Sequence, residues 1–230
     1  MSSADPAPLD DPFTNALCGP QIRFARSRGR IVTFDPEVSV FFGHPREMTA
    51  QDYADLAELA GTGRTTSLRD RQSRLPEDLF TRVAEFELVQ YTGLTVVAAH
   101  DPELIRLGPA DVPEMTALVE LTEPGPFLPR TIELGVYLGY RDPGTGRLLA
   151  MAGQRLHLPG WIEISAVCTH PDARGRGLAS RLIRAVSALI IDDGSTPFLH
   201  TTADNPAQSL YRALGFELRS NVGLEILRVR

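Results

Sequence analysis

At 230 residues the chain is long for one average domain and long enough for two small ones. With 43% apolar and 23% charged residues it has a globular composition, and no stretch approaches the ~18–20 consecutive apolar residues of a membrane span. All 23 basic residues are arginine and the net charge is −6, which excludes a Walker phosphate loop, a pyridoxal Schiff base and a kinase phosphate-binding lysine, and argues against nucleic acid as partner.

Residues 1–12 are rich in Pro and Asp, lack the apolar run of a secretory signal, and read as a flexible tail. Residues 13–101 read as a smaller N-terminal α/β domain. Arg30–Phe34 suits a strand, and Thr49 can cap a helix that runs to Ala60 and stops at Gly61. A strand at Thr65–Leu68 and a short helix from Pro76 follow. Glu85–Tyr91 and Leu94–Ala99 then read as a hairpin turning at Thr92-Gly93.

His100-Asp101-Pro102 marks a boundary, and residues 102–230 read as a second unit. Its expected elements are a strand at Leu104–Leu107, a helix at Asp111–Leu121, a stiff Glu123–Pro129 loop, and strands at Gly135–Arg141, Leu148–Leu156 and Ile162–Thr169. Next come a helix ending near Ile191, a strand at Phe198–Thr202, a helix at Ala207–Leu214, and strands at Phe216–Arg219 and Leu224–Val229. The order gives an α/β (α+β) fold with a mixed central sheet and flanking helices.

The most informative segment runs from Ser165 to Ala179, where a strand ends, Gly175 and Gly177 turn the chain, and an apolar-striped helix begins. Such a turn aims unpaired N–H groups and the positive helix end at one point, a ready anion site. A tight connection binding nothing has the same local signature. A dinucleotide fingerprint fits poorly, because Ser180 stands where the last glycine or alanine belongs. Cys18 and Cys168 are too few for a disulfide framework, and the five histidines are scattered, so no metal site is expected. The plain reading is a soluble, cytoplasmic protein without a membrane partner.

The downstream segment Asn205-Pro206-Ala207, followed by Leu210-Tyr211 and Leu214-Gly215-Phe216, adds a second pattern. Together with Arg174-x-x-Gly177-x-Ala179, it makes residues 102–230 resemble the GNAT superfamily of acyl-CoA N-acyltransferases. The resemblance implies acetyl-CoA as cosubstrate and a small-molecule or peptide amine as acceptor, attacked directly, in a monomer or homodimer. It also implies that Val167, Cys168 and Thr169 lie along the pantetheine. Arg174, Gly175, Arg176, Gly177, Leu178, Ala179 and Ser180 would hold the pyrophosphate. A backbone N–H near Val167 would polarise the thioester carbonyl.

By the same resemblance, Tyr211 stands where the family keeps the acid for the departing thiolate, and both Glu163 and His200 match positions of a general base. Each has a plainer reading: a packed aromatic, an outward strand carboxylate, and a hydrogen-bonded strand histidine. The spacing from Asn205 to Tyr211 is six residues where the family has seven, so Asp204 competes with Asn205 for the motif position. Cys168 reads as a small buried hydrophobe, not a nucleophile. Arg130, Arg155 and the Pro124–Pro129 loop are candidates for contact with an anionic substrate. Residues 13–101 echo the second half of the same fold and suggest a degenerate tandem half-domain. The alternative for the whole protein is a non-catalytic acyl-CoA sensor or regulatory module on this fold.

Overall fold

The computed structural model describes residues 4–230. Its centre is a sheet of eight strands: β4 (Thr65–Arg69), β5 (Phe80–Thr92), β6 (Ile105–Leu107), β7 (Tyr137–Arg141), β8 (Leu148–Leu158), β9 (Trp161–Thr169), β10 (Thr196–Thr202) and β11 (Glu217–Val229). They lie in the order β4-β11-β5-β10-β9-β8-β7-β6. The pairs are antiparallel except β9–β10, which is parallel. A small second sheet joins β1 (Ala25–Arg28), β2 (Ile31–Phe34) and β3 (Phe42–Gly43).

Strand alternation sorts side chains onto two faces. Ile162, Ile164 and Leu199 pack with Leu178, Leu182, Ile183 and Val186 of α4 (Leu178–Asp192), and with Tyr211 of α5 (Gln208–Ala213). Trp161 and Phe198 point the other way, into a cluster with Leu9, with Phe13 and Leu17 of α1 (Pro12–Leu17), and with Phe34 and Phe41. The helix α3 (Val112–Thr122) shares that second side, with Met115 and Leu118 against Tyr137, Met151 and Cys168. The expected mixed sheet with flanking helices and a smaller N-terminal α/β part is what the structure shows.

Local signals placed several boundaries well. Thr49 caps α2 (Ala50–Ala60) in a reciprocal capping box with Asp52, and Gly61, with φ 87°, ends the helix. Several expectations change. Residues 94–99 are irregular, not the second arm of a hairpin; β5 instead finds its neighbours in the distant strands β10 and β11. The boundary expected at 101 is no break in the sheet, since β4 and β5 complete the sheet of the C-terminal half. The tail expected at 1–12 is docked over its described part, residues 4–12. Leu9 is wholly buried, Asp5 accepts a hydrogen bond from the Trp161 indole at 2.8 Å, and Leu9 accepts one from Gln90 at 3.0 Å. Burying the Leu9 side chain and satisfying the Trp161 indole N–H and the Gln90 amide offset part of the entropy of ordering this segment. The last two expected strands are one, β11, bent by irregularities at Leu218/Ser220 and Ile226/Leu227.

Leu182, with no exposed surface, lies in the seam between α4 and the sheet. Leu182→Ala is expected to cost about 2–5 kcal/mol, read as a lower urea midpoint with an unchanged denaturant slope.

Candidate functional site

β9 and β10 form a fork. Their parallel pairing covers only Thr196 with Trp161, Pro197 with Ile162, and Phe198 with Glu163. Beyond Glu163, β9 stays with β8 to Thr169, while β10 follows β5 from Leu199 to Thr202. The parting leaves a fissure whose two lips carry unpaired strand edges. Between the ladder pairs Met151–Cys168 and Gly153–Ser165, Ala166 and Val167 face the single residue Ala152. This bulge holds Ala166 at φ 52°, a left-handed conformation uncommon for a residue with a Cβ. It re-aims the backbone of β9 where the strand borders the fissure.

The fissure opens into a cavity of about 860 Å³. Val167, Cys168 and Thr169 line it, and the Thr169 hydroxyl is buried without a hydrogen-bond partner among the described residues. At the outer end lie Arg174, Gly175, Gly177, Leu178, Ala179 and Ser180. Gly175 (φ 77°) and Gly177 (φ 73°) take conformations that L-residues resist, and Gly177 caps α4. A Cβ added at either would project into open space, with no heavy atom within 4 Å. The turn is therefore a shallow cradle facing the first N–H groups of a fifteen-residue helix. Arg176 stands apart from the wall; its guanidinium lies over the Tyr140 ring, 5.5 Å from the centroid.

At the apex of the fork sits a buried polar trio. Glu163 has no exposure and accepts two hydrogen bonds from Arg155, both at 2.7 Å, and one from His200 Nδ1 at 2.7 Å. β8 bulges there: Arg155 and Leu156 together face Glu163 between the pairs Gln154–Ile164 and His157–Ile162. The Arg155 guanidinium also lies 4.8 Å over the Phe41 ring. Gln90 of β5 donates from Nε2 to His200 Nε2 at 3.0 Å and accepts from Arg219 through Oε1 at 2.8 Å. These partners assign the imidazole proton to Nδ1.

Burial by itself raises the Glu163 pKa, but the charge and hydrogen bonds of Arg155, with the His200 bond, hold the carboxyl at about 2. Burial lowers His200 below the usual 6.5; Glu163 opposes that shift, and the charges of Arg155 and Arg69 add to it. His200 is thus neutral at pH 7, with Glu163 ionised beside it. Arg155 and His200 line the cavity, whereas Glu163 lies behind them.

Tyr211 of α5 lines the cavity from the opposite side, and burial pushes its phenol up to about 12. Burial likewise pushes the Cys168 thiol up to about 11, so at pH 7 it is no thiolate nucleophile. Asn205 lines the cavity and accepts a 2.8 Å bond from the Ala207 N–H, which turns the chain into α5. Asp204 is exposed and outside the wall, so of the two candidates only Asn205 faces the fissure. Arg130 is tied to Asp35 and Glu133, away from the cavity, while Glu123–Pro126 form part of its rim. Sequence reasoning missed Gln90, Ser67, Arg69, Phe13 and Phe41, whose strand, helix and loop positions carry no local mark of a site.

Among solved structures, a protein from Novosphingobium aromaticivorans assigned to the GNAT family of acetyltransferases is 37% identical, over 97% of this chain and 99% of its own, with a TM-score of 0.87. The chain belongs to the GNAT family. A family model described as FR47-like protein matches residues 137–223, the strands and helices that build the fork. Two more distant structures share the GNAT fold. A GCN5-related N-acetyltransferase from Kribbella flavida is 17% identical over 90% of both chains, with a TM-score of 0.59. A GNAT acetyltransferase from Colwellia psychrerythraea is 14% identical over 86% of this chain and 80% of its own, with a TM-score of 0.53. No curated protein matches the sequence. Among the described residues no helix of this GNAT protein is long and apolar enough to cross a membrane, and no cluster of three acidic, His or Cys side chains is arranged for a metal.

The trio makes stability pH-dependent. The folded Glu163 value of about 2 lies below the ordinary 4.5, so its contribution is complete above pH 4.5 and lost as pH falls towards 2. His200 is depressed below 6.5, so below that pH the unfolded chain takes up this proton first. The urea midpoint is expected to decline as pH drops below 6.5 and more steeply below 4.5. Glu163→Gln leaves the Arg155 charge buried and unpaired, and is expected to cost about 3–5 kcal/mol at pH 7.

Proposed function

We propose that the protein is an N-acetyltransferase that transfers the acetyl group of acetyl-CoA directly to an amine. The observation that carries this reading is the continuity of one cavity from the glycine cradle, along the β9–β10 fissure, to a neutral buried histidine. Acetyl-CoA fits the residues present. An anionic pyrophosphate matches the open cradle at the start of α4, and the orphaned Thr169 hydroxyl and β9 edge suit a pantetheine arm added like a strand. When bound, acetyl-CoA supplies the activated acetyl group.

The chain's own groups divide the remaining work. Arg174 and the N–H groups of Gly175 to Ser180 hold the phosphates, while Asn205 flanks the pantetheine. The Val167 N–H, turned by the bulge at Ala166, stabilises charge developing on the thioester oxygen. A free amine of pKa ~10 arrives mostly protonated at pH 7, so a base is required. His200 fits that role better than Glu163: it lines the cavity, is neutral, and frees Nε2 by exchanging the Gln90 contact. Glu163, its oxygens taken by Arg155 and His200, positions the imidazole and supports the charge it acquires. Tyr211, protonated at every working pH, donates to the leaving thiolate.

Calorimetry with acetyl-CoA, and with ATP and NAD as controls, tests the reading. Wild type is expected to bind acetyl-CoA alone, and Gly177→Asp to lose binding while remaining folded. An amine panel should release free thiol; binding without thiol release from any amine would favour a non-catalytic sensor. Tyr211→Phe is expected to lower kcat by about 10²–10⁴-fold. Because His200 is depressed below 6.5, the acidic limb of the kcat/KM profile is expected below pH 6.5.

A further inference from the structure

The inner half of the cavity carries polar groups that acetyl transfer itself leaves unused. Ser67 and Arg69 are two apart on β4, so their side chains share one face. Both line the cavity, with residue exposures of 3% and 8%. The Ser67 hydroxyl and the Arg69 Nε are buried without a hydrogen-bond partner among the described residues. Arg69 Nη1 is anchored by the carbonyl of Asp10, and its nearest carboxylate, Asp70 at 3.8 Å, also serves Arg46 at 3.1 Å. A buried guanidinium with a free N–H beside an unpartnered hydroxyl is a costly arrangement unless a ligand completes it.

Charge decides what kind of ligand. Arg155 and Arg69 both face this half of the cavity, and its buried carboxylate, Glu163, is spent between Arg155 and His200. Glu123 on the rim is exposed. The Arg155–Glu163 pair is neutral, so a polycationic acceptor would meet no free carboxylate here, whereas an anionic group would meet the Arg69 guanidinium and the Ser67 hydroxyl on one wall. The remaining wall here is apolar, with Phe13, Phe86, Leu224 and Ile226. Arg69 and His200 line the same cavity, so one acceptor bound there can face both.

We propose that Ser67 and Arg69 seat a carboxylate of the acceptor, which is a small amine bearing that carboxylate and an apolar body, the class that includes apolar α-amino acids. The inference rests on the acetyl-transfer reading. In the resulting pose the carboxylate sits on β4, the apolar body lies against Phe13 and Phe86, and the amine faces His200 at the mouth of the fork.

The test is calorimetry on the full chain saturated with CoA, using N-acetyl-L-phenylalanine and its uncharged amide. These probes differ by one carboxylate. Wild type is expected to bind the acid at least tenfold more tightly than the amide. Arg69→Met should erase that ratio, Arg69→Lys should keep part of it, and Ser67→Ala should weaken the acid several-fold, all with unchanged CoA affinity. Equal affinity for acid and amide, or binding of neither, in a wild type that binds CoA would overturn the carboxylate seat alone. A folded Arg69→Met that keeps the preference would overturn it too. A wild type that binds no CoA would instead remove the acetyl-transfer reading, and the acceptor site with it. The wild-type ratio requires no variant to fold.

Discussion

The site depends on one buried carboxylate at the point where two strands part. Glu163 is the last β9 residue paired with β10, and its side chain reaches across to His200, two residues further along the departing strand. Without a side-chain bridge, parallel strands that stop pairing would expose backbone groups with no fixed geometry between them. The ion pair with Arg155 keeps Glu163 ionised in a place where burial alone would neutralise it. One interaction thus fixes the angle of the fork, the tautomer of the histidine and the charge state of the apex. The cost is a desolvated charge that only an intact trio can carry.

Two irregularities in the β8–β9 ladder border that arrangement. At the bulge, Arg155 and Leu156 both oppose Glu163, and the cationic side chain lies on the face of Glu163. The bulge at Ala166 redirects β9 beside the fissure and is held in a left-handed conformation by the surrounding sheet.

The N-terminal segment helps to build the cavity. β5 lies between β10 and β11, bringing Gln90 to His200, and β4 on the sheet edge brings Ser67 and Arg69 to the inner cavity. Phe13 of α1 and the β2–β3 connection at Val40 and Phe41 close the same wall. The glycine cradle belongs to the C-terminal half, and the inner end of the cavity draws on both halves. A fragment beginning near residue 102 would lack two strands of its own sheet and much of that wall.

Sequence alone settled what local physics controls. The apolar periodicity of α4, the Thr49 capping box, the Gly61 stop and the glycine turn at Gly175 and Gly177 each depend on neighbours within a few residues, and each lies where the pattern placed it. The absence of lysine removed whole classes of chemistry. The tertiary structure alone decided the rest. Residues 94–99 look as strand-like as 85–91, yet β5 pairs with strands more than a hundred residues away, because ladder partners are chosen by burial of a whole face. By sequence Glu163 reads equally as a base or as an outward strand carboxylate; in the fold it is neither exposed nor free, since Arg155 and His200 occupy its oxygens. Arg69 looked like one arginine among 23. Its significance lies in being buried and incompletely partnered, a property of the surroundings that no stretch of sequence encodes locally.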